Sequence, residues 1–414
     1  MKLHALPALV AACLLSAAGA QGADLHWARS WGASPQAPTP SGGAFPGSPT
    51  FHDQTIRQVV RLSGGGRQVR IRFTNEFGTA PITVGSAHVA LASDAGAIRS
   101  ASDHVLTFAG KPTAVIRPGS PLLSDPVDVS LPALSRLSIS LYLPDEVGAC
   151  TCHGTGMQTG YVAPGDQTGA AALPGAAKIT VRALISAVEV GADKPAKTIV
   201  AFGDSITDGV GSTTDADRRW PDQLAERLTA HGGAAQFLSN QGISGNRVLN
   251  DGFGIAALAR FDRDVLSTPG LAYVVVFEGI NDIGISYLPK TDGPFAAFMK
   301  TFAGAPVSAD DLIAGYRQMI DRAHQHGVKI YGATITPYEG AATYSPQGEQ
   351  VRQTVNAWIR TARGFDGVLD FDAAIRDPAH PGQIKDGFHM GDHLHGSDAG
   401  YKAIADSIDL SLFR

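Results

Sequence analysis

From about residue 24 to residue 190 the apolar positions recur every second residue. Val69, Ile71 and Phe73 alternate with Arg70, Arg72 and Thr74, and Leu137, Ile139, Leu141 and Leu143 alternate with small or polar partners. A period of two turns one face of a strand to a core and the other outward. The runs are separated by turn-forming stretches such as Gly64-Gly65-Gly66 and Asn75-Glu76-Phe77-Gly78. Residues 24–190 are therefore expected to form an antiparallel β-sandwich, jelly-roll-like in outline, with almost no helix. Arg57, Arg61, Arg70 and Arg72 read as a solvated sheet face in preference to a ligand-facing stripe.

The pattern changes after Gly191 to Lys197, a stretch that reads as a linker. Thr198 to Phe202 is a short, wholly apolar strand, followed by a helix around Trp220 to His231 and a strand near Gln236 to Leu238. Leu271 to Phe277 is another apolar strand, and Ser308 to Asp311 has the form of a capping box opening a helix that runs to about His326. Lys329 to Thr334 and Val368 to Phe371 read as strands, and Gln347 to Arg363 and Asp398 to Ile408 as helices. Alternating strands and helices over residues 197–414 predict a three-layer α/β/α domain, flavodoxin-like, whose parallel sheet places any site beyond the strands' carboxyl ends.

Composition narrows the function classes. With 44% hydrophobic and 17% charged residues and a formal charge of -5, the chain is an ordinary globular one without the basic footprint of a nucleic-acid binder. Lys2, the apolar run Leu6 to Leu15 and the small residues Ala18-Gly19-Ala20 have the pattern of a secretory signal over residues 1–20, which predicts a secreted or periplasmic protein. Val10-Ala11-Ala12-Cys13 looks like a lipoprotein box, but the apolar core before Cys13 is short and the chain stays apolar through Leu15, which favours cleavage after Ala20. No later apolar segment approaches the ~20 residues that span a bilayer. Cys150 and Cys152 could form a local disulfide or remain thiols; Cys150-Thr151-Cys152-His153 lacks the second ligand pair of a metal site, so no metal or other cofactor is expected.

Four short segments fall at predicted strand ends: Gly203-Asp204-Ser205, Asn240 to Asn246, Glu278 to Asp282, and Asp392 to His395. A serine at a strand end is a nucleophile only if a base, an orienting acid and oxyanion donors accompany it. The four blocks, in this order, resemble the GDSL or SGNH esterase superfamily over about residues 197 to 410, and more specifically its two-domain arylesterase/acylhydrolase-like branch with an N-terminal β domain. The resemblance implies Ser205 as nucleophile, His395 as base and Asp392 as orienting acid. It implies an oxyanion hole from the backbone N–H of Ser205, the backbone N–H of Gly245 and the side-chain amide of Asn281. Asp204 and Asp282 are expected to brace their loops.

Asp386-Gly387-Phe388-His389 is a second Asp-x-x-His, but the turn Gly396 to Tyr401 behind His395 favours the later pair, and the His389, His393, His395 cluster lacks the carboxylate-rich surroundings of a catalytic metal. His324 and His326 read as helix-end histidines, and Arg218 to Pro221 as a docking step more than an acyl-pocket wall. The segment after Asn281, with Tyr287, Phe295, Phe298 and Phe302, is placed to wall the cleft, and the patch from Cys150 to Tyr161 could reach over it. The expected function is an exported, metal-independent serine esterase for short acyl esters or an acylated polysaccharide, chiefly acetylated carbohydrate. The alternatives are a lipid-directed esterase, lysophospholipase or thioesterase, or a carbohydrate-binding protein with a vestigial site.

Overall fold

A computed structural model of the chain describes residues 25–39, 47–232, 235–288, 301–302, 306–361 and 364–414. The expected signal segment lies outside these residues, as do Phe295 and Phe298. The N-terminal half is built around two large antiparallel sheets, with two small two-stranded ones beside them. One runs His26–Gly32, Ile185–Ala192, Gly66–Asn75 and Ser120–Leu123, with Val127–Leu131 also paired to Gly66–Asn75. The other runs Ala177–Ile179, Gly160–Pro164, Gln54–Arg61, Arg136–Leu143, Ser86–Leu91 and His104–Val105. The alternation sets the register: Val69, Ile71 and Phe73 from one sheet and Ile56, Val60, Ile139 and Leu141 from the other are buried in a single core. Burying each such side chain stabilises the fold by roughly 1.5–3 kcal/mol.

The arginines depart from expectation. Arg57 is wholly buried, its guanidinium donating to Ser140 Oγ at 2.8 Å and to the carbonyls of Thr168 and Ala170 at 3.0 and 2.7 Å, because the segment after Pro164 folds across that sheet face. Arg61, Arg70 and Arg72 are paired with Glu226, Glu189 and Glu76, at 3.0, 2.7 and 3.1 Å. Arg57 and Arg61 lie on one sheet and Arg70 and Arg72 on the other, and all four are buried or charge-matched where a single solvated face was predicted. The linker is also shorter than expected. Strand pairing continues to Ala192, opposite His26, and resumes at Ala196, opposite Ala235, so only residues 193–195 lie between the halves.

In the second half β1 (Ala196–Gly203), β2 (Ala235–Gly242), β3 (Leu271–Phe277), β4 (Lys329–Ala333) and β5 (Gly367–Leu369) form a wholly parallel sheet in the order 2-1-3-4-5. In such an order the chain reverses direction of winding beside β1, and the crevice beyond the strands' carboxyl ends opens there. Among the described residues the α-helices are α1 (Ser205–Asp208), α2 (Trp220–His231), α3 (Ala257–Phe261), α4 (Ile280–Ser286), α5 (Ala309–Gln325), α6 (Pro346–Thr361), α7 (Phe371–Ile375) and α8 (Asp398–Ser407). Phe371, expected in a strand, instead opens α7, because the Asp370 carboxylate caps the Ala373 N–H at 3.1 Å. Trp220 is fully buried, its ring edge-on to Phe371 at 5.5 Å, so the Trp-Pro step docks α2 on the sheet. His324 pairs with Asp366 at 2.9 Å. Among the described residues no helix is long and apolar enough to cross a membrane.

The halves share structure at β2, the outermost strand of the parallel sheet. Phe237 on β2 is buried in the sandwich core, and the Leu238 N–H donates to Ser63 Oγ at 2.8 Å. The Arg29 N–H donates to Thr198 Oγ1 on β1 at 3.2 Å. An edge strand left bare invites pairing with another chain, and here the sandwich covers it. Phe237→Ala should lower the free energy of unfolding by about 3–5 kcal/mol through the cavity it leaves. Urea titration checks this; a loss under about 1 kcal/mol would mean that the shared core does not bind the halves together.

Candidate active site

β1 delivers Ser205 to the crevice. At its end Gly203 passes so close to β3 that an added Cβ would meet the Phe277 carbonyl oxygen at 2.3 Å. Asp204 then breaks the strand and caps the next turn, its Oδ1 accepting the Ile206 N–H at 2.9 Å, and Ser205 becomes the first residue of α1. Ser205 Oγ lies 2.8 Å from His395 Nε2, and His395 Nδ1 lies 2.6 Å from Asp392 Oδ2. The carboxylate can only accept, so the Nδ1 proton is held there and Nε2 is left to accept the serine proton.

Asp392 is itself positioned by its own loop. Its Oδ1 accepts the N–H groups of Leu394 and His395, both at 3.0 Å. Partial burial pushes its carboxyl up, but the His395 ring and these two N–H donors outweigh that and hold it at about 2. The earlier Asp-x-x-His is not assembled in this way. Asp386 is exposed, while His389 Nδ1 accepts the N–H groups of Gly391 and His393 at 3.1 and 3.2 Å. The His389 and His393 rings pack tilted against each other at 4.3 Å between centroids.

The segment after β2 carries Gly245 with φ of +78°, a conformation that favours glycine, and a Cβ there would sit 2.5 Å from the Phe253 ring. Among the described residues neither the Ser205 nor the Gly245 N–H has a protein hydrogen-bond partner. Asn281, in α4 after β3, donates one Nδ2 hydrogen to the Asn246 carbonyl at 3.0 Å, which leaves its second hydrogen free. Asp282 braces the same segment, its carboxylate accepting the N–H groups of Val248 and Leu249 at 2.7 and 3.1 Å. Burial pushes the Asp282 carboxyl up to about 6, against the pull of those two donors.

Beneath the site lies Arg260 of α3, which no sequence motif marked. Its guanidinium donates to the carbonyls of Gly203 and Gln241 at 2.9 and 2.7 Å, to Asn246 Oδ1 at 2.8 Å and to Ser34 Oγ at 3.1 Å. It pairs with Asp264 at 3.1 Å and lies 3.6 Å from Glu278. Burial, reinforced by the nearby Asp204, raises the Glu278 carboxyl well above the usual carboxylate range, and Arg260 pulls it back. The only sequence signal was a charged residue in the short, otherwise apolar stretch Ala256 to Phe261.

The sandwich also reaches this region. Cys150 and Cys152 are bridged, and the segment that follows brings Thr155 Oγ1 to 2.7 Å from Ser244 Oγ, beside Gly245. Gln36 donates to the Phe253 carbonyl at 2.7 Å. Of the expected cleft-wall segment, Phe302 packs on Phe253 at 4.7 Å between ring centroids, and the Tyr287 hydroxyl donates to the Val307 carbonyl at 3.2 Å.

Residues 201–403 match the model of the GDSL-like Lipase/Acylhydrolase family. The α/β domain belongs to this family. The chain is thus a carboxylic-ester hydrolase whose GDSL-like domain is preceded by an antiparallel β domain. It is similar to the lipase/acylhydrolase from Enterococcus faecalis, with 20% identity over 51% of this chain and 92% of that one and a TM-score of 0.38. It is also similar to an acetyl xylan esterase from Geobacillus stearothermophilus, with 21% identity over 51% of this chain and 92% of that one and a TM-score of 0.37. No curated protein matches.

Two outcomes are expected from the electrostatics of the GDSL-like domain. Arg260→Met should destabilise the fold by about 3–5 kcal/mol, since it removes one of the two cations on the buried Asp264 and the charged donor to the Gly203 and Gln241 carbonyls; denaturant titration reads it, and a neutral result would show that Arg260 is dispensable. Asp392 has a folded-state value below its unfolded one, so it contributes stability above about pH 4, lost as the pH falls toward about 2. The stability difference between wild type and Asp392→Asn should therefore shrink across that window, and a difference independent of pH would contradict the assignment.

Proposed function

We propose that the chain hydrolyses short acyl esters through a covalent acyl-Ser205 intermediate, with His395 as general base and acid and Asp392 as its orienter. The observation that carries this reading is the continuous hydrogen-bonded line from Ser205 Oγ through the His395 ring to Asp392, at 2.8 and 2.6 Å. Ser205 Oγ attacks the ester carbonyl carbon as its proton passes to His395 Nε2. The tetrahedral oxyanion is taken by the N–H groups of Ser205 and Gly245 and the free Asn281 amide hydrogen. His395 then returns the proton to the leaving alcohol and the C–O bond breaks. Water, deprotonated by the same nitrogen, attacks the acyl-serine, and the carboxylic acid leaves with Ser205 restored.

The proposed substrate class is an acetylated or otherwise short-acylated carbohydrate outside the cytoplasm. Two features support it: the signal-like N-terminus, and a site lip formed with the sandwich by polar side chains, Gln36, Thr155 and Ser244. Polar groups of this kind suit a hydroxyl-rich alcohol better than a lipid tail.

A serine-reactive phosphonate should label Ser205, and Ser205→Ala should abolish both labelling and turnover; an active Ser205→Ala enzyme would rule out the acyl-serine route. Asn281→Ala should keep its fold and lose about 10²–10³ in kcat, because one oxyanion donor is removed. On a chain-length series kcat/KM should fall beyond about four carbons, as a pocket sized for a short acyl group excludes longer ones. Activity that instead rises with chain length and with micelle formation would mark a lipid-directed hydrolase, and polysaccharide binding without acid release would mark a binding protein. The acid-release screen uses acetylated xylan, pectin and peptidoglycan beside the simple esters.

A further inference from the structure

His153, from the sandwich, is fully buried in the contact with the GDSL-like domain. Its Nδ1 lies 3.0 Å from the Ser34 carbonyl oxygen and its Nε2 lies 2.8 Å from Asp208 Oδ1. Both neighbours are acceptors, so the ring donates from both nitrogens and meets Asp208 as a cation against a carboxylate. Burial alone would lower the His153 pKa, but the Asp208 charge and hydrogen bond together with the Ser34 carbonyl raise it above the ordinary histidine value.

The far side of Asp208 faces the site. Asp208 is the last residue of α1, the turn that begins with Ser205, and its Oδ2 accepts both the Ser244 N–H at 3.1 Å and the Ser244 hydroxyl at 2.8 Å. Ser244 has given its only hydroxyl hydrogen to Asp208, so its oxygen accepts from Thr155 Oγ1 at 2.7 Å. Gln36 adds a second strut, accepting the Gly154 N–H at 2.9 Å and donating to the carbonyl of Phe253, whose ring lies against Gly245. One carboxylate thus ties the nucleophile's turn to the residue before Gly245, and a sandwich side chain holds that carboxylate from behind.

We propose that His153 is a positioning residue of the hydrolase: through Asp208 and Ser244 it keeps the Gly245 N–H in register with Ser205, which makes the β domain part of the catalytic machinery. This inference rests on the acyl-serine reading above. A misplacement of the order of 1 Å in such a donor can cost about a hundredfold in rate, and it acts on the transition state more than on substrate binding.

The test is steady-state kinetics with 4-nitrophenyl acetate on the full chain for His153→Asn, His153→Gln, Ser244→Ala and the His153→Asn/Ser244→Ala double variant. His153→Asn should lose about 10- to 100-fold in kcat with KM within about twofold. His153→Gln, whose amide N–H can occupy the Nε2 position, should recover part of that loss. Ser244→Ala should show the same kcat-specific loss, and the double variant should lose much less than the product of the singles, since both cut one line. Affinity for a trifluoromethyl ketone, which mimics the tetrahedral state, should fall in parallel with kcat.

Unchanged kcat, a loss confined to KM, or multiplicative singles would overturn the proposal. Far-UV circular dichroism and Tm identify a variant that has not folded; if His153→Asn is one, Ser244→Ala decides alone by the same kcat criterion. Phosphonate labelling of wild-type Ser205 separates the two ideas. An unlabelled, active wild type sinks the acyl-serine reading, whereas a labelled wild type with fully active variants sinks only the role of His153.

Discussion

A buried guanidinium holds the site together. Arg260 has no contact with solvent, yet it donates to the carbonyl ends of β1 and β2, to Asn246 in the segment carrying Gly245, and to Ser34 of the sandwich. The Gly203 carbonyl also accepts the Ile243 N–H at 3.0 Å, so the guanidinium adds to the pairing of buried strand-end acceptors, which are costly to leave under-satisfied. A planar charged fork with five hydrogens can reach acceptors on several segments at once, where a lysine offers three hydrogens from a single point. The arrangement demands counter-charge, and Asp264 supplies it. The crevice floor is therefore polar and buried, and the segments that carry the site above it hydrogen-bond to one shared group.

The same logic explains why the two halves form one unit. β2 is the outer strand of the parallel sheet and carries the chain directly into the Gly245 segment. Its flank is covered by the sandwich through Phe237 and the Leu238 to Ser63 hydrogen bond, so the strand that leads into the Gly245 segment is packed from both sides. The short connection of residues 193–195 leaves little freedom for the halves to separate. The bridged cysteines and His153 lie on the sandwich side of this contact, and Asp208 and Ser244 on the other.

Much of this was legible in the chain because local rules act locally. The period-two run around Val69 to Phe73, the apolar run Leu271 to Phe277 and the capping box at Ser308 each determine their own element within a few residues. The pairing of Asp392 with His395 is likewise local, three residues apart in one loop, with Oδ1 taken by the loop's own N–H groups. Departures arose where distant chain decided the outcome. Arg57 looked like a solvated strand residue, but the segment after Pro164 covers it. Phe371 is the exception, a local departure: it looked like the end of a strand, but its neighbour Asp370 caps it into a helix. His153 carried no assigned partner in the sequence, and it meets an aspartate in the other half.

By itself the sequence determined the fold class, the division into a sandwich and an α/β half, and the order of the four blocks at successive strand ends, since periodicity and turn chemistry are properties of adjacent residues. Only the tertiary structure decided that Ser205 meets His395 across 190 residues, that Arg260 gathers the strand ends, and that His153 reaches Asp208. Buried charge and hydrogen-bond pairing between remote segments depend on which surfaces exclude water together, and that is set only when the whole chain has packed.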